Sequence, residues 1–486
     1  MKKIITVFTF TAILTSVSLF SFVSIEQKIE GIWQGTLKVQ GIELRIIFKI
    51  KKDKNDALTA TMDSPDQGAV NIPMDTVKLE GSNLFMELKK AGGIYEGSIS
   101  EDGKKIEGTW KQGGFNLPLV LEHTDKVPEI KRPQEPKKPF PYKEEEVEYK
   151  NEKDDIKLAG TLTLPQGEGP FPAVLLISGS GAQDRNEELL GHKPFLLLSD
   201  YLTRRNISVL RVDDRGVGGS TGKLSESTSI DLAEDVLSGV RFLKTRKEID
   251  PERIGLIGHS EGGIIAPIAA SKSQEIAFII LMAGSGVTGE EILYLQGELI
   301  NRANGVIEED IQKARLRQEL IFKVLKREKD NDSAEKALRR LYEEDIAGMD
   351  EEEKKEAEVS DEVFKASLKK ILNPWFRFFL TFDPKTALNK VKCPVLAIIG
   401  EKDLQVPPEQ NLKEIEKALK QGGNEDYTIK ELPGLNHLFQ TAETGAPSEY
   451  GKIEETISPS ALKLIGDWLL EHVKKKLGEE KLFPSR

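Results

Sequence analysis

Over the first quarter of the chain, apolar residues recur at alternate positions in short runs. These are Trp33 to Val39, Ile42 to Ile50, Leu58 to Met62, Leu84 to Leu88, Tyr95 to Ile99, Ile106 to Trp110 and Leu117 to Leu121. A period of two turns every second side chain to one face, as a half-buried strand requires. Turn formers separate the runs, among them Lys52-Asp53-Lys54-Asn55-Asp56, Gly81-Ser82-Asn83 and Glu101-Asp102-Gly103-Lys104. Such even spacing predicts an antiparallel barrel or sandwich over residues 25–123.

Beyond Glu144 the pattern changes. Phe171 to Ser178, Ile207 to Val212, Ile254 to Ile257, Ile276 to Met282 and Pro394 to Ile399 are apolar almost without interruption. Strands buried on both faces read this way, which places them in a parallel sheet covered by helices. Amphipathic stretches such as Ile230 to Thr245 and Leu412 to Leu419 lie between them. Residues 144–486 are therefore expected to form a mostly parallel, doubly wound α/β domain. From about 287 to 385 charged helical sequence takes over, and Tyr342 to Glu362 is dense in Glu and Asp. A structureless loop of that length is improbable in a compact domain, so a helical lid inserted in the sheet domain is expected. The acidic run itself reads as a solvated helix face. Pro128, Pro133, Pro136, Pro139 and Pro141 mark residues 124–143 as an extended linker between the two domains.

A chain of 486 residues exceeds what one hydrophobic core organises, in keeping with this division. Its net charge of −11, with no basic stripe, removes nucleic acid from the expected partners. Cys393 is the single cysteine, which excludes an intramolecular disulfide, and it adjoins an apolar run where packing is the expected role. The five histidines show no metal-binding spacing such as HExxH, and neither a metal nor another cofactor is expected. Met1-Lys2-Lys3 followed by the apolar stretch Ile4 to Val23 has the layout of a secretory signal, taken as residues 1–24. Export to the periplasm or medium is expected, with no membrane insertion after cleavage. An uncleaved anchor is the alternative, since the run approaches bilayer-spanning length.

The chemistry centres on Gly258-His259-Ser260-Glu261-Gly262, which follows the run Ile254 to Ile257 and precedes the apolar stretch Gly263 to Ala270. In G-x-S-x-G the nucleophile sits on a strand-to-helix turn so tight that glycines are needed two positions either side. Ser260 is the candidate nucleophile, and a serine needs a base. Downstream of it stand His437 and His472. His472 falls in the amphipathic stretch Ala461 to Leu477, whereas His437 stands in the loop Leu432-Pro433-Gly434-Leu435-Asn436-His437. His259 adjoins Ser260, but neighbouring side chains on a sharp turn diverge. His437 is thus the expected base. Asp403, in Gly400-Glu401-Lys402-Asp403 after the run Pro394 to Ile399, is the expected acid, with Glu401 in reserve. An oxyanion requires two N–H donors. The backbone of Glu261 is one, and Ser180 or Gly181, in Ser178-Gly179-Ser180-Gly181, is the other.

Two further motifs are Gly179-Ser180-Gly181-Ala182-Gln183-Asp184-Arg185-Asn186 and Asp213-Asp214-Arg215-Gly216-Val217-Gly218-Gly219-Ser220. With them, the chain from about Tyr149 to Leu477 resembles the α/β-hydrolase superfamily, and within it bacterial carboxylesterases grouped with serine aminopeptidase-like hydrolases. The resemblance implies cleavage of a small-molecule carboxylic ester through a Ser-His-Asp triad and a covalent acyl-enzyme. Relatives often carry His-Gly where this chain has Ser178-Gly179, which bears on how the oxyanion loop is anchored. Asp214 and Arg215 are read as a structural loop pair. Gly31-Ile32-Trp33-Gln34-Gly35 and Glu107-Gly108-Thr109-Trp110 resemble strands of small lipocalin-like barrels, with Trp33 and Trp110 expected in the core. Two other readings stand beside this one: a peptidase or amidase with the same machinery, and a ligand-binding barrel attached to an inert hydrolase domain. Acyl preference and oligomeric state follow from pocket and surface shape, which no motif encodes.

Overall fold

The computed structural model of the protein describes residues 29–39, 42–65, 69–126, 131–349, 354 and 360–482. The segment 1–24, expected to be an export signal, lies outside the described residues. The first sheet is antiparallel. It comprises β1 (Gly31–Val39), β2 (Ile42–Lys52), β3 (Leu58–Ser64), β4 (Ala69–Pro73) and β5 (Thr76–Glu80). It continues with β6 (Asn83–Leu88), β7 (Gly93–Ile99), β8 (Lys105–Gln112) and β9 (Phe115–Thr124). The order is β4-β3-β2-β1-β9-β8-β7-β6-β5, so the first and last strands pair in mid-sheet and the edges fall at β4 and β5. The sheet curls around one core in which Trp33, Phe48, Met86, Tyr95 and Trp110 are buried together. The Tyr95 hydroxyl donates to the carbonyls of Ile106 and Leu119 (3.2 and 3.1 Å). Gly97 and Gly108 make room for it, since an added Cβ would lie 2.8 and 2.6 Å from that oxygen. Aromatic side chains fill this interior.

The second sheet follows the apolar runs. Its strands are β10 (Lys143–Asn151), β11 (Ile156–Leu164), β12 (Phe171–Ile177), β13 (Ser208–Val212), β14 (Ile249–His259), β15 (Ile279–Met282), β16 (Val395–Gly400) and β17 (Tyr427–Leu432). They stand in the order β10-β11-β13-β12-β14-β15-β16-β17. Neighbours from β13 to β17 are parallel, while β10 and β11 add an antiparallel edge. Helices Ser229–Lys244, Gly262–Lys272 and Pro408–Gln421 cover one face of the sheet. Pro194–Thr203 and Pro459–Leu482 cover the other. This is the mostly parallel, doubly wound sheet of an α/β-hydrolase. Between β15 and β16 the helices Gly289–Ala303, Glu308–Arg327, Asn331–Ala347, Asp361–Ile371 and Pro374–Thr381 form the lid. The lid has its own core around Phe322, Leu338, Phe364 and Leu380. No helix among the described residues is long and apolar enough to cross a membrane.

The described part of the proline-rich linker, residues 131–142, forms no helix or strand and is docked on the second domain. Arg132 donates to the carbonyls of Leu190, Gly451 and Ile453 at 2.9 to 3.1 Å. Gln134 donates to the Ile457 carbonyl (2.8 Å) and accepts from the Thr456 amide (2.6 Å). Glu135 pairs with Lys193 at 2.8 Å. A backbone interrupted by prolines offers few N–H groups, so side chains make these bonds. The β8–β9 hairpin also approaches the lid, where an added Cβ on Gly114 would lie 3.3 Å from Val363.

Candidate active site

β14 ends at His259 and the helix Gly262–Lys272 begins three residues later. Ser260, between them, has φ 52°, in the left-handed region that costs a non-glycine residue on the order of 1 kcal/mol. Its neighbours enforce that geometry. An added Cβ on Gly258 would lie 2.0 Å from the Gly262 carbonyl oxygen, and one on Gly262 would lie 2.2 Å from that of Ile177. The Ser260 N–H donates to Met282 on the adjacent strand at 2.8 Å. The turn therefore presents the serine above the ends of the strands.

His437 and Asp403 come together from the loops after β17 and β16. His437 Nδ1 lies 2.8 Å from Asp403 Oδ2, and both residues are buried. Asp403 Oδ1 accepts the amides of Gln405 and Val406, each at 2.8 Å. With Nδ1–H given to the carboxylate, Nε2 keeps the lone pair that a base needs. Asn436 shapes the turn, its Oδ1 accepting the amides of Leu438 (3.0 Å) and Gln440 (2.9 Å). Gln440 in turn donates to the Glu455 carbonyl at 3.0 Å, next to the stretch that linker residue Gln134 grips. Glu401, the reserve acid, accepts the Gly434 amide at 2.7 Å and holds the start of this loop instead. His472 stacks on Trp468, with ring centroids 3.8 Å apart, in the last helix. Cys393 is half-buried against the sheet core.

Two cavities open on Ser260. One is lined on its apolar side by Ile264, Ile292, Leu293, Trp375, Phe379 and Val406. The other includes Glu187, His192, His259, His437 and Thr456 beside Leu189, Pro194 and Leu438. Ser180 borders both. Among the described residues, the amides of Ser180, Gly181 and Glu261 donate to no protein acceptor, whereas that of Gly179 is taken by Glu187 at 2.7 Å. Ser180 and Glu261 thus offer free N–H groups at the cavities, and Gly181 borders neither cavity.

The Glu261 side chain does something its position in the motif did not reveal. Its buried carboxyl accepts from Ser229 Oγ (2.6 Å) and from the lid indole of Trp375 (2.7 Å), tying lid to elbow. Burial raises this carboxyl above the ordinary range. Glu187 carries no motif signal, and His259, set aside above as the base, is buried with it.

Asp214 and Arg215 are structural, but they face apart. Arg215 pairs with Asp235 and Asp154 at 2.7 and 2.8 Å. Asp214 accepts from Ser178 Oγ (2.7 Å) and the Gln183 amide (2.9 Å), so Ser178 anchors the loop that carries Ser180. Burial pushes the Asp214 carboxyl up to about 7 from its ordinary 3.8. The folded state binds this proton more tightly than the unfolded chain, so this group's contribution to stability falls as pH rises from about 4 to about 7. Asp214→Asn removes the charge while its side-chain carbonyl oxygen still accepts the Gln183 amide and its NH₂ donates to Ser178 Oγ. Its melting temperature should match the parent's at or below about pH 4, exceed it increasingly up to about pH 7 and by a constant amount above that. A difference that stays constant between those two pH values would contradict the assignment.

In comparisons with known proteins, residues 154–431 match the family model described as X-Pro dipeptidyl-peptidase (S15 family), a span that includes Ser260 and Asp403 and stops short of His437. Esterase EstD of Thermotoga maritima is 26% identical over 322 residues, which cover 65% of this chain and 66% of that protein. The match thus spans just under two thirds of that relative. An uncharacterized 31.7 kDa protein of Escherichia coli is 26% identical over 277 residues, covering 56% of this chain and 85% of that one. Among solved structures, an esterase of Pyrococcus furiosus aligns with a TM-score of 0.43 at 17% identity, covering 72% of this chain and 99% of that one.

Proposed function

The chain belongs to the X-Pro dipeptidyl-peptidase (S15) family, and from that premise we propose that it is a serine hydrolase that cleaves carboxylic esters. One observation carries the reading: Ser260, held at positive φ, opens on the same cavity as His437, whose other face is held by Asp403. Ser260 Oγ attacks the ester carbonyl while His437 Nε2 takes its proton. The amides of Glu261 and Ser180 receive the oxyanion. His437 then protonates the departing alkoxide, water attacks the acyl-enzyme, and Ser260 is regenerated. Because His437 must reach the leaving oxygen, the alcohol belongs in the cavity that His437 lines, and the acyl group in the one lined by Ile264, Ile292, Leu293 and Phe379.

This orientation has a measurable consequence. Each methylene buried contributes about 0.8 kcal/mol, so kcat/KM should rise roughly tenfold from an acetyl to a butanoyl ester of one alcohol. A panel in which acetyl is fastest would sink the acyl-pocket assignment. Cleavage of peptides or amides by the same groups is the second reading, favoured by the peptidase family name. Assaying an anilide with the best acyl group separates the two, and the ester is expected to be hydrolysed at least a hundredfold faster, roughly. The basic start and apolar run at residues 1–23 support export with removal of that segment, and mapping the mature N-terminus tests it.

A further inference from the structure

The loop that carries the Ser180 amide and the loop that carries the base are joined by a carboxylate and an imidazole in series. Glu187 is buried, with φ 52°, on the turn that follows Asp184. Its Oε1 accepts the Gly179 N–H at 2.7 Å and lies 2.9 Å from His259 Nδ1. On the other side of the ring, His259 Nε2 lies 3.0 Å from the carbonyl oxygen of His437. The two imidazole centroids are 5.0 Å apart. Gly179 itself is close to the nucleophile, since an added Cβ there would lie 3.3 Å from that of Ser260.

Proton counting follows from these contacts. A carbonyl oxygen only accepts, so Nε2 carries a hydrogen. Nδ1 faces a carboxylate oxygen that also accepts and already takes an amide. Two acceptors on one ring require a proton on each nitrogen, which makes the pair an imidazolium on a carboxylate. Burial alone would push His259 down. The Glu187 carboxylate, the His437 carbonyl and the Asp403 carboxylate outweigh it and hold the ring above its ordinary range.

We propose that Glu187 and His259 are positioning residues for the hydrolytic reaction: they lock the start of the oxyanion loop and the main chain of the base loop into one unit around Ser260. The inference rests on the reading of Ser260, His437 and Asp403 as the hydrolytic site. A misplacement of about 1 Å in such a site costs on the order of a hundredfold in rate. The test uses the full-length protein and compares His259→Gln with His259→Asn, and Glu187→Gln with Glu187→Ala, on one activated ester. Glutamine at 259 keeps an N–H near the Nε2 position, whereas asparagine is too short to reach the His437 carbonyl. Glutamine at 187 keeps an acceptor for the Gly179 amide, and alanine does not.

His259→Asn and Glu187→Ala are expected to lower kcat roughly tenfold to a hundredfold with KM nearly unchanged, and the glutamine variants should recover much of that loss. Equal losses for Gln and Asn at 259, or losses confined to KM, would overturn the proposal. Should any variant fold poorly, nitrogen-15 histidine spectra of the unmodified protein near neutral pH decide the point. Both His259 nitrogens should be protonated, and a neutral ring would overturn the pairing. If the unmodified protein hydrolysed no ester or amide, the hydrolase reading would fail, while the spectra would still report on the pair.

Discussion

Replacing Ser260 by alanine is expected to lower kcat for ester hydrolysis by roughly a million-fold while leaving the fold intact. The size follows from what is removed. Without Oγ no acyl-enzyme forms, and His437 has no proton to take. The oxyanion amides of Glu261 and Ser180 survive the change, so a residual rate of roughly a thousandfold to ten-thousandfold over water should remain. The melting temperature should barely move. Alanine meets the same backbone cost at φ 52° as serine does, and the Ser260 amide keeps its bond to Met282. A variant retaining a hundredth of the parent kcat, roughly, would place the nucleophile elsewhere.

The second large effect belongs to the base and its partner. His437→Ala should cost about as much as losing the serine, because the two act as one unit, and the double variant should be no worse than either single one. Asp403→Asn should cost roughly ten-thousandfold, for a reason written in its contacts. Asp403 Oδ1 accepts the amides of Gln405 and Val406. Asparagine must turn its carbonyl oxygen to those two donors, which leaves its NH₂ facing His437 Nδ1. The imidazole then has to accept at Nδ1 and carry its proton on Nε2, the nitrogen that must act as base. Steady-state kinetics of these variants check the assignment. Additive losses in the double variant would contradict it, as would a greater loss in Glu401→Gln than in Asp403→Asn.

What could be read in advance divides along physical lines. The central parallel strands announce themselves, because burial on both faces demands unbroken apolar runs such as Val174 to Ile177 in β12. Ser260 is legible for a stereochemical reason, since only a narrow set of neighbours tolerates its turn. β10 lacks an apolar run because it is the antiparallel edge strand. β10 reads Lys-Glu-Glu-Glu-Val-Glu-Tyr-Lys-Asn, with few apolar positions and one side open to solvent. β4 and β5 are five residues each, too short to show a period against their flanking turns.

The prolines mark the linker but not its docking. Arg132 meets carbonyls more than 300 positions away, and proline spacing says nothing of that. Glu187 and His259 were hidden in a similar way. One follows a loop motif and the other fills a wildcard position, and only the meeting of β12, β14 and the base loop gives them a shared task. The filled interior of the first sheet places Trp33 and Trp110 among packing residues rather than around a ligand.

Labelling with a fluorophosphonate, followed by peptide mapping, reads the nucleophile most directly. A single stoichiometric adduct on the peptide bearing Ser260 is expected, blocked by prior incubation with an ester substrate and absent from Ser260→Ala. An adduct on any other residue, or labelling that persists in Ser260→Ala, would contradict Ser260 as the nucleophile and with it the serine-hydrolase assignment.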